Sequence, residues 1–145
     1  MLYLDTSFLV PYFIFEESSE KVEKYLLGIR GQQLAVSAWT STEFVSAVGL
    51  KVRRKELDEK AASDVLAAFR LVGREYFTWL PVATSDFNMA AEFLEKWKLG
   101  LRAGNALHLA IARSSGAKQL LTLDKKLLDA AKSLRIPAST GIHAT

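Results

Sequence analysis

Cysteine is absent from the 145 residues, which excludes disulfides, thiolate zinc sites and a cysteine nucleophile. Histidine is nearly absent: only His108 and His143 occur, too few for a multi-histidine metal centre. Any metal bound here is therefore expected to be a hard ion held by oxygens. Proline and glycine are sparse, at three and eight residues, and no linker, repeat or low-complexity tract interrupts the chain. Long apolar runs are missing too. The longest, Phe8 to Phe15, is broken by Pro11 and Tyr12 and falls far short of the ~20 residues of a membrane span. Asp5 stands where a signal peptide carries positive charge. These absences lead us to expect a soluble, cytoplasmic protein of a reducing compartment, with no membrane partner.

Apolar residues make up 50% of the chain, enough for a real core, and the length suits a single domain over 1–145. Nineteen Lys and Arg against 16 Asp and Glu give a net charge of +3, which permits a polyanionic partner without demanding one.

Short apolar strands alternate with amphipathic helices. Strands are expected at Leu2 to Leu4, Gln33 to Val36, Trp79 to Val82 and Gln119 to Leu123, with a last one starting at Ile136. Pro81 makes the third an edge candidate. Between them, helical spacing predicts a short helix from Asp5-Thr6-Ser7 to about Phe15 and a second capped by Ser18-Ser19. Longer helices are expected over Trp39 to Arg53, with Phe44, Val45, Val48 and Val52 on one side, and Asp58 to Phe77, with Ala61, Val65, Ala68, Phe69 and Val72 inward. Further helices open at Ser85, at Gly104-Asn105 and at Asp124. Such alternation implies an α/β fold, a three-layer αβα sandwich around a mostly parallel sheet. In such sheets ligands bind beyond the carboxyl ends of the strands.

Four residues point to that edge. Asp5 ends the first strand, Asp124 ends the Gln119–Leu123 strand, and Glu43 lies in the first turns of the helix after the second strand. Asn105 starts the helix before the Asp124 strand, and its place depends on the loop from Leu99 to Gly104. Each has a plain structural explanation. Asp5 and Asp124 precede helices as N-caps do, Thr40-x-x-Glu43 fits a capping box, and Asn105 suits an N-cap after glycine. Capping does not explain why so many are carboxylates. Three anions converging within a few ångströms repel unless something neutralises them, and a divalent cation is the simplest answer.

The segments "MLYLDTSFLV" at the start, "TSTEFVSAV" at 40–48, "LRAGNALHLAIA" at 101–112 and "LLTLDKKLLDAA" at 120–131 resemble the PIN domain, and within it the VapC-like toxins of type II toxin–antitoxin systems. Order and spacing agree over nearly the whole chain. The resemblance implies an endoribonuclease dependent on Mg2+ or Mn2+ and a cognate antitoxin whose tail plugs the active site; by family analogy it also implies a homodimer. Carried over position by position, the acidic pocket is Asp5, Glu43, Asn105 and Asp124. Asp5, Asn105 and Asp124 hold the ion directly or through water, and Glu43 orients the attacking water or holds a second ion. Thr6, Ser7 and Thr122 match hydroxyls that orient carboxylates or metal waters. Cleavage in this class leaves a 5′-phosphate and a 3′-hydroxyl.

One position departs from the family pattern, which usually has Asp where this chain has Asn105. The amide offers a carbonyl oxygen but no charge, so weaker cation binding and reduced activity are expected, reversed by Asn105→Asp. His108, one turn beyond Asn105, is read as a packing or helix-surface residue rather than a general base. The basic run Lys51, Arg53, Arg54 and Lys55 either faces the helix dipole and solvent or contacts phosphate beside the pocket. Lys125 and Lys126, and Lys96, Lys98 and Arg102, extend a possible RNA path. Trp39 and the dense aromatics Phe8, Tyr12, Phe13 and Phe15 are mainly core, and any left exposed would suit a dimer or antitoxin groove.

Two other classes compete. A PIN-like module that binds RNA or an antitoxin without cleaving is favoured by Asn105. A phosphatase or receiver domain on a doubly wound sheet is disfavoured, because Asp5-Thr6-Ser7 is not Asp-x-Asp and neither the extra acidic pair near the first strand nor a mid-domain phospho-acceptor Asp is evident.

Overall fold

The computed structural model describes residues 1–142; His143 lies outside the described residues. Five strands, β1 (Leu2–Leu4), β2 (Leu34–Ser37), β3 (Phe77–Leu80), β4 (Gln119–Leu121) and β5 (Ala138–Ser139), form one sheet in the order β3-β2-β1-β4-β5. Every pairing is parallel, so the sheet is wholly rather than mostly parallel. Seven α-helices surround it: α1 (Thr6–Phe13), α2 (Ser19–Gly28), α3 (Ala38–Arg53), α4 (Glu59–Tyr76), α5 (Thr84–Leu94), α6 (Ala103–Ser114) and α7 (Lys125–Ser133).

Side-chain alternation along the strands builds the layers. Leu2, Leu4, Val36 and Leu121 face one way and meet Phe8, Leu9, Phe44, Val48 and Phe69 from α1, α3 and α4. Tyr3, Ala35 and Leu120 face the other way and meet α5, α6 and α7. Helix α6 lies deepest, with all seven residues from Ala106 to Ala112 buried. The strand order reverses beside β1: the chain proceeds outward through β2 and β3, then returns to pair β4 on β1's other side. That reversal makes the region beyond the carboxyl ends of β1 and β4 the place where ligands of such sheets bind. Register fixes what lies there. Leu4 pairs with Leu121, and the Asp5 amide donates to Leu121 O at 3.1 Å, so Asp5 and Thr122 leave the sheet side by side.

Several element ends differ from the sequence expectation, each for a local reason. Strand β2 runs one residue further, to Ser37, and Ser37 rather than a later residue caps α3. Its hydroxyl accepts from the Thr40 amide and Thr40 Oγ1 accepts from the Ser37 amide, so the capping box pairs Ser37 with Thr40, and Glu43 takes no part. Asn105 is not an N-cap; α6 already begins at Ala103 after Arg102. Ser85 does not cap α5, because Asp86 reaches back to the Ala83 amide. Ser18 makes no side-chain cap on α2, and Ser19 instead binds the Pro11 carbonyl at 2.5 Å. Helix α1 stops at Phe13, two residues short of Phe15, which is exposed. Val45 and Ala68 face solvent rather than the core. Strand β3 lies at the sheet edge, as Pro81 suggests, but it ends at Leu80, before the proline.

Candidate active site

Asp5 follows β1 directly and Asp124 follows β4 after Thr122 and Leu123, and each opens a helix. Asp5 Oδ1 accepts from the Phe8 amide at 3.1 Å and caps α1; Asp124 Oδ1 accepts from the Lys126 and Leu127 amides and caps α7. Both capping roles expected from the sequence are real, and both leave the second oxygen for other partners. Asp5 is buried, with 3% exposure, and Thr122 Oγ1 donates to its Oδ2 at 3.0 Å while Ser7 Oγ donates to Oδ1 at 2.8 Å. The same Thr122 oxygen accepts the Asp124 amide at 3.0 Å. One hydroxyl thus ties the two aspartate positions together, and Ser7 Oγ locks the loop by accepting the Leu123 amide. Burial pushes the Asp5 carboxyl above its usual range; the charge of His108 and the bonds from Ser7, Phe8 and Thr122 oppose that only in part.

Asn105, in the first turn of α6, donates its amide Nδ2–H to Asp124 Oδ2 at 3.0 Å. That side chain is thereby bonded directly to the second aspartate. Its carbonyl oxygen, the only atom it can offer a cation, has no side-chain partner among the described hydrogen bonds.

Glu43 is held separately. Thr6 Oγ1 donates to its Oε1 at 2.7 Å, and His108 Nε2 makes a very short hydrogen bond to the same oxygen. Burial raises the Glu43 carboxyl, but the His108 hydrogen bond and charge, helped by Thr6, outweigh it and leave the group below its usual range. The other oxygen, Oε2, lies against the backbone of Gly104: a Cβ there would come within 2.9 Å of it. Glycine is needed at 104 for that close approach, not for an unusual backbone angle.

The sequence expectation of three carboxylates in one tight cup is therefore corrected. Among the described residues, no group of three or more His, Asp or Glu side chains is placed to hold a metal ion. Two of the three carboxylates have internal partners of their own: Asn105 for Asp124, and His108 and Thr6 for Glu43. The donor chemistry still suits a hard cation. A buried, under-compensated Asp5 carboxylate, the Asp124 carboxylate and the Asn105 amide oxygen are oxygens of the kind Mg2+ and Mn2+ prefer.

His108 is the residue that sequence reasoning undervalued. It is buried to 1% exposure, so it is not on the helix surface, and it faces Glu43 rather than an apolar wall. Its spacing of one turn from Asn105 was the available signal. The basic residues divide. Lys51 is committed to Glu16 at 2.8 Å and to Glu56 at 3.4 Å, and these partners raise its pKa. Arg53 and Arg54, eight to eleven residues after Glu43 with Lys51, lie ~12–16 Å further along α3, away from the pocket. Lys125 pairs with Asp129 at the surface. Exposed Lys126 and Arg102 stand at the helix starts that carry Asp124 and Asn105.

The model of the PIN domain matches residues 2–133, nearly the whole chain. The chain belongs to the PIN-domain family. No curated protein matches its sequence. Among solved structures, this PIN domain is similar to FitAcB from Neisseria gonorrhoeae, with 19% identity and a TM-score of 0.77 over 99% of this chain and 100% of that one. It is similar to VapC20 of Mycobacterium tuberculosis, described as a Sarcin-Ricin loop cleaving toxin, with 20% identity and a TM-score of 0.71 over 90% of this chain and 95% of that one. VapBC2 from Rickettsia felis, solved bound to a DNA fragment from the promoter, matches with 13% identity and a TM-score of 0.70 over 96% and 98% of the two chains. At these identities the likeness establishes the three-layer fold.

Proposed function

We propose that this PIN domain is a metal-dependent endoribonuclease toxin paired with an antitoxin. The observation that carries the reading is the convergence of Asp5 and Asp124 on one Thr122 hydroxyl at the sheet's reversal point, with Asn105 bonded to Asp124. Asp5, Asp124 and the Asn105 carbonyl would hold Mg2+ or Mn2+, which when bound would offset phosphate charge and acidify a water. The chain's own residues do the rest. Ser7 and Thr122 fix the Asp5 carboxylate, and the α7 amides fix that of Asp124. Glu43, with Oε1 held and Oε2 free of side-chain partners, orients a water for in-line attack and accepts its proton. Lys126 and Arg102 guide the phosphate backbone, with a lesser contribution from Lys125.

An antitoxin seat is offered by an apolar groove of about 540 Å3 between α1, α2 and α4, lined among others by Leu9, Tyr12, Leu27, Val72 and Tyr76. Tyr76 is 73% exposed at its rim, a surface suited to an amphipathic segment. We place the protein in the cytoplasm as a homodimer on the family analogy.

The bond between Asn105 and Asp124 favours one second reading, a PIN-like module that binds RNA or antitoxin without cleaving. Hydrolysis of single-stranded RNA with Mn2+ discriminates. The enzyme reading requires cleavage that EDTA and Asp5→Ala both abolish and that Asn105→Asp increases. Binding with no cleavage, in both the chain and Asn105→Asp, selects the module.

A further inference from the structure

The most developed polar network in the protein is one whose centre cannot touch substrate. His108 is shielded from solvent, yet both ring nitrogens are engaged: Nε2 with Glu43 Oε1, and Nδ1 with Tyr3 OH at 2.8 Å. Tyr3, on the middle strand and fully buried, also has its hydroxyl 2.9 Å from Ser37 Oγ and 3.4 Å from Thr40 Oγ1. Either form of the ring satisfies every member: Nε2–H donates to the Glu43 carboxylate, and Nδ1 accepts from Tyr3 OH in the neutral ring or donates to it in the protonated one. Among the described residues no buried side-chain nitrogen or oxygen is left without a partner.

We propose that His108 is a positioning residue for Glu43, itself oriented by Tyr3, and that together with Thr6 it occupies Oε1 so that Oε2 is the oxygen presented to the pocket. The sequence separation makes the point. Tyr3, Ser37, Glu43 and His108 come from β1, β2, α3 and α6, and a network serving packing alone would not need to end on an exposed-side carboxylate. Glu43 keeps 26% of its side chain accessible while His108 keeps 1%. The chain of bonds therefore runs from the dry centre of the sheet to the one group at the pocket wall whose aim matters. Thr6 fixes the same oxygen from α1, and the missing side chain at Gly104 leaves Oε2 uncrowded. Two donors on Oε1 fix the carboxylate and leave Oε2 without a side-chain partner.

The kinetic side rests on the ribonuclease reading; a spectroscopic side does not. With single-stranded RNA and Mn2+, in the chain and in its Asn105→Asp form, His108→Phe is expected to lower kcat ~10- to 100-fold, the loss typical of a misplaced catalytic group, with KM nearly unchanged. His108→Gln, whose amide can still donate to Glu43, recovers part of that loss, and Tyr3→Phe gives an intermediate one. An unchanged kcat in folded His108→Phe, or a loss expressed in KM alone, overturns the proposal. Independently, a 15N-labelled sample should show a slowly exchanging, far-downfield His108 Nε2–H resonance that moves in Glu43→Gln and Tyr3→Phe. Absence of that resonance, or indifference to Glu43→Gln, also overturns it. If no form cleaves RNA, the ribonuclease reading fails and the ring resonance alone decides whether His108 positions Glu43.

Discussion

Asp5 carries two demands that pull in opposite directions. As a cap it satisfies the Phe8 amide, and as a buried carboxylate it keeps a charge where water is excluded. Its native pKa is raised, so its contribution to stability is greatest below its ordinary value of 3.8 and is lost as pH rises through the raised native value. At neutral pH the charge is a net cost. Asp5→Asn, which still caps α1, is therefore expected to raise Tm by ~2–4 °C at pH 7 while abolishing cleavage, and the gain should shrink on acidification. Thermal denaturation of both forms between pH 3 and 7 checks the sign. Glu43 behaves oppositely: its lowered value adds stability above 4.5 that disappears as pH falls through the native value. Glu43→Gln should accordingly lower Tm at pH 7 and approach the parent near pH 3. At position 104, an added methyl would meet Glu43 Oε2 at 2.9 Å and Trp39 at 3.3 Å. Gly104→Ala should turn Glu43 aside and reduce cleavage about as much as His108→Phe, with a small loss of stability, measured by initial rates and Tm.

At the scale of elements, the parts legible in the sequence were those that local rules control. An Asp between a strand and a helix announces the cap, and so the capping roles of Asp5 and Asp124 were read correctly, although β4 stops at Leu121 rather than at Leu123. The start of α3 was misread because the strand extends through Ser37, which shifts the capping box by three residues and releases Glu43 from any capping duty. The start of α6 was misread for a similar reason. Asn105 looked like a cap after glycine, but the helix begins earlier, and the side chain turns instead toward Asp124. His108 was undervalued because its partners, Tyr3 and Glu43, lie 105 and 65 residues away, a distance over which periodicity says nothing. The corrected cap makes its own prediction. Thr40→Ala removes one half of the Ser37–Thr40 box inside the core and should cost ~1 kcal/mol of stability, read from chemical denaturation.

For the whole molecule, the fold sets the site and the composition sets its limits. A wholly parallel sheet that reverses beside its central strand brings the ends of β1 and β4 together, and Asp5, Asp124 and Asn105 reach the site from beyond those strand ends or from a helix start. Without cysteine and with a single described histidine, now committed to Glu43, the chain has oxygen as its only abundant ligand, which is why the proposed partner is a hard cation. Asn105 moderates that demand, because its amide already supplies Asp124 with a donor. The test that bears most directly on this account is thermal denaturation coupled to RNA cleavage for the chain and Asn105→Asp, each in EDTA and in Mn2+. In EDTA, Asn105→Asp should be the less stable by ~1–3 kcal/mol, having exchanged a hydrogen bond for two facing carboxylates. Mn2+ should restore its stability and make it the faster nuclease, while moving the parent's Tm much less. Equal Tm responses to Mn2+ in both proteins, or cleavage that survives EDTA, would contradict the claim that these side chains form a cation-dependent nuclease site tempered by Asn105.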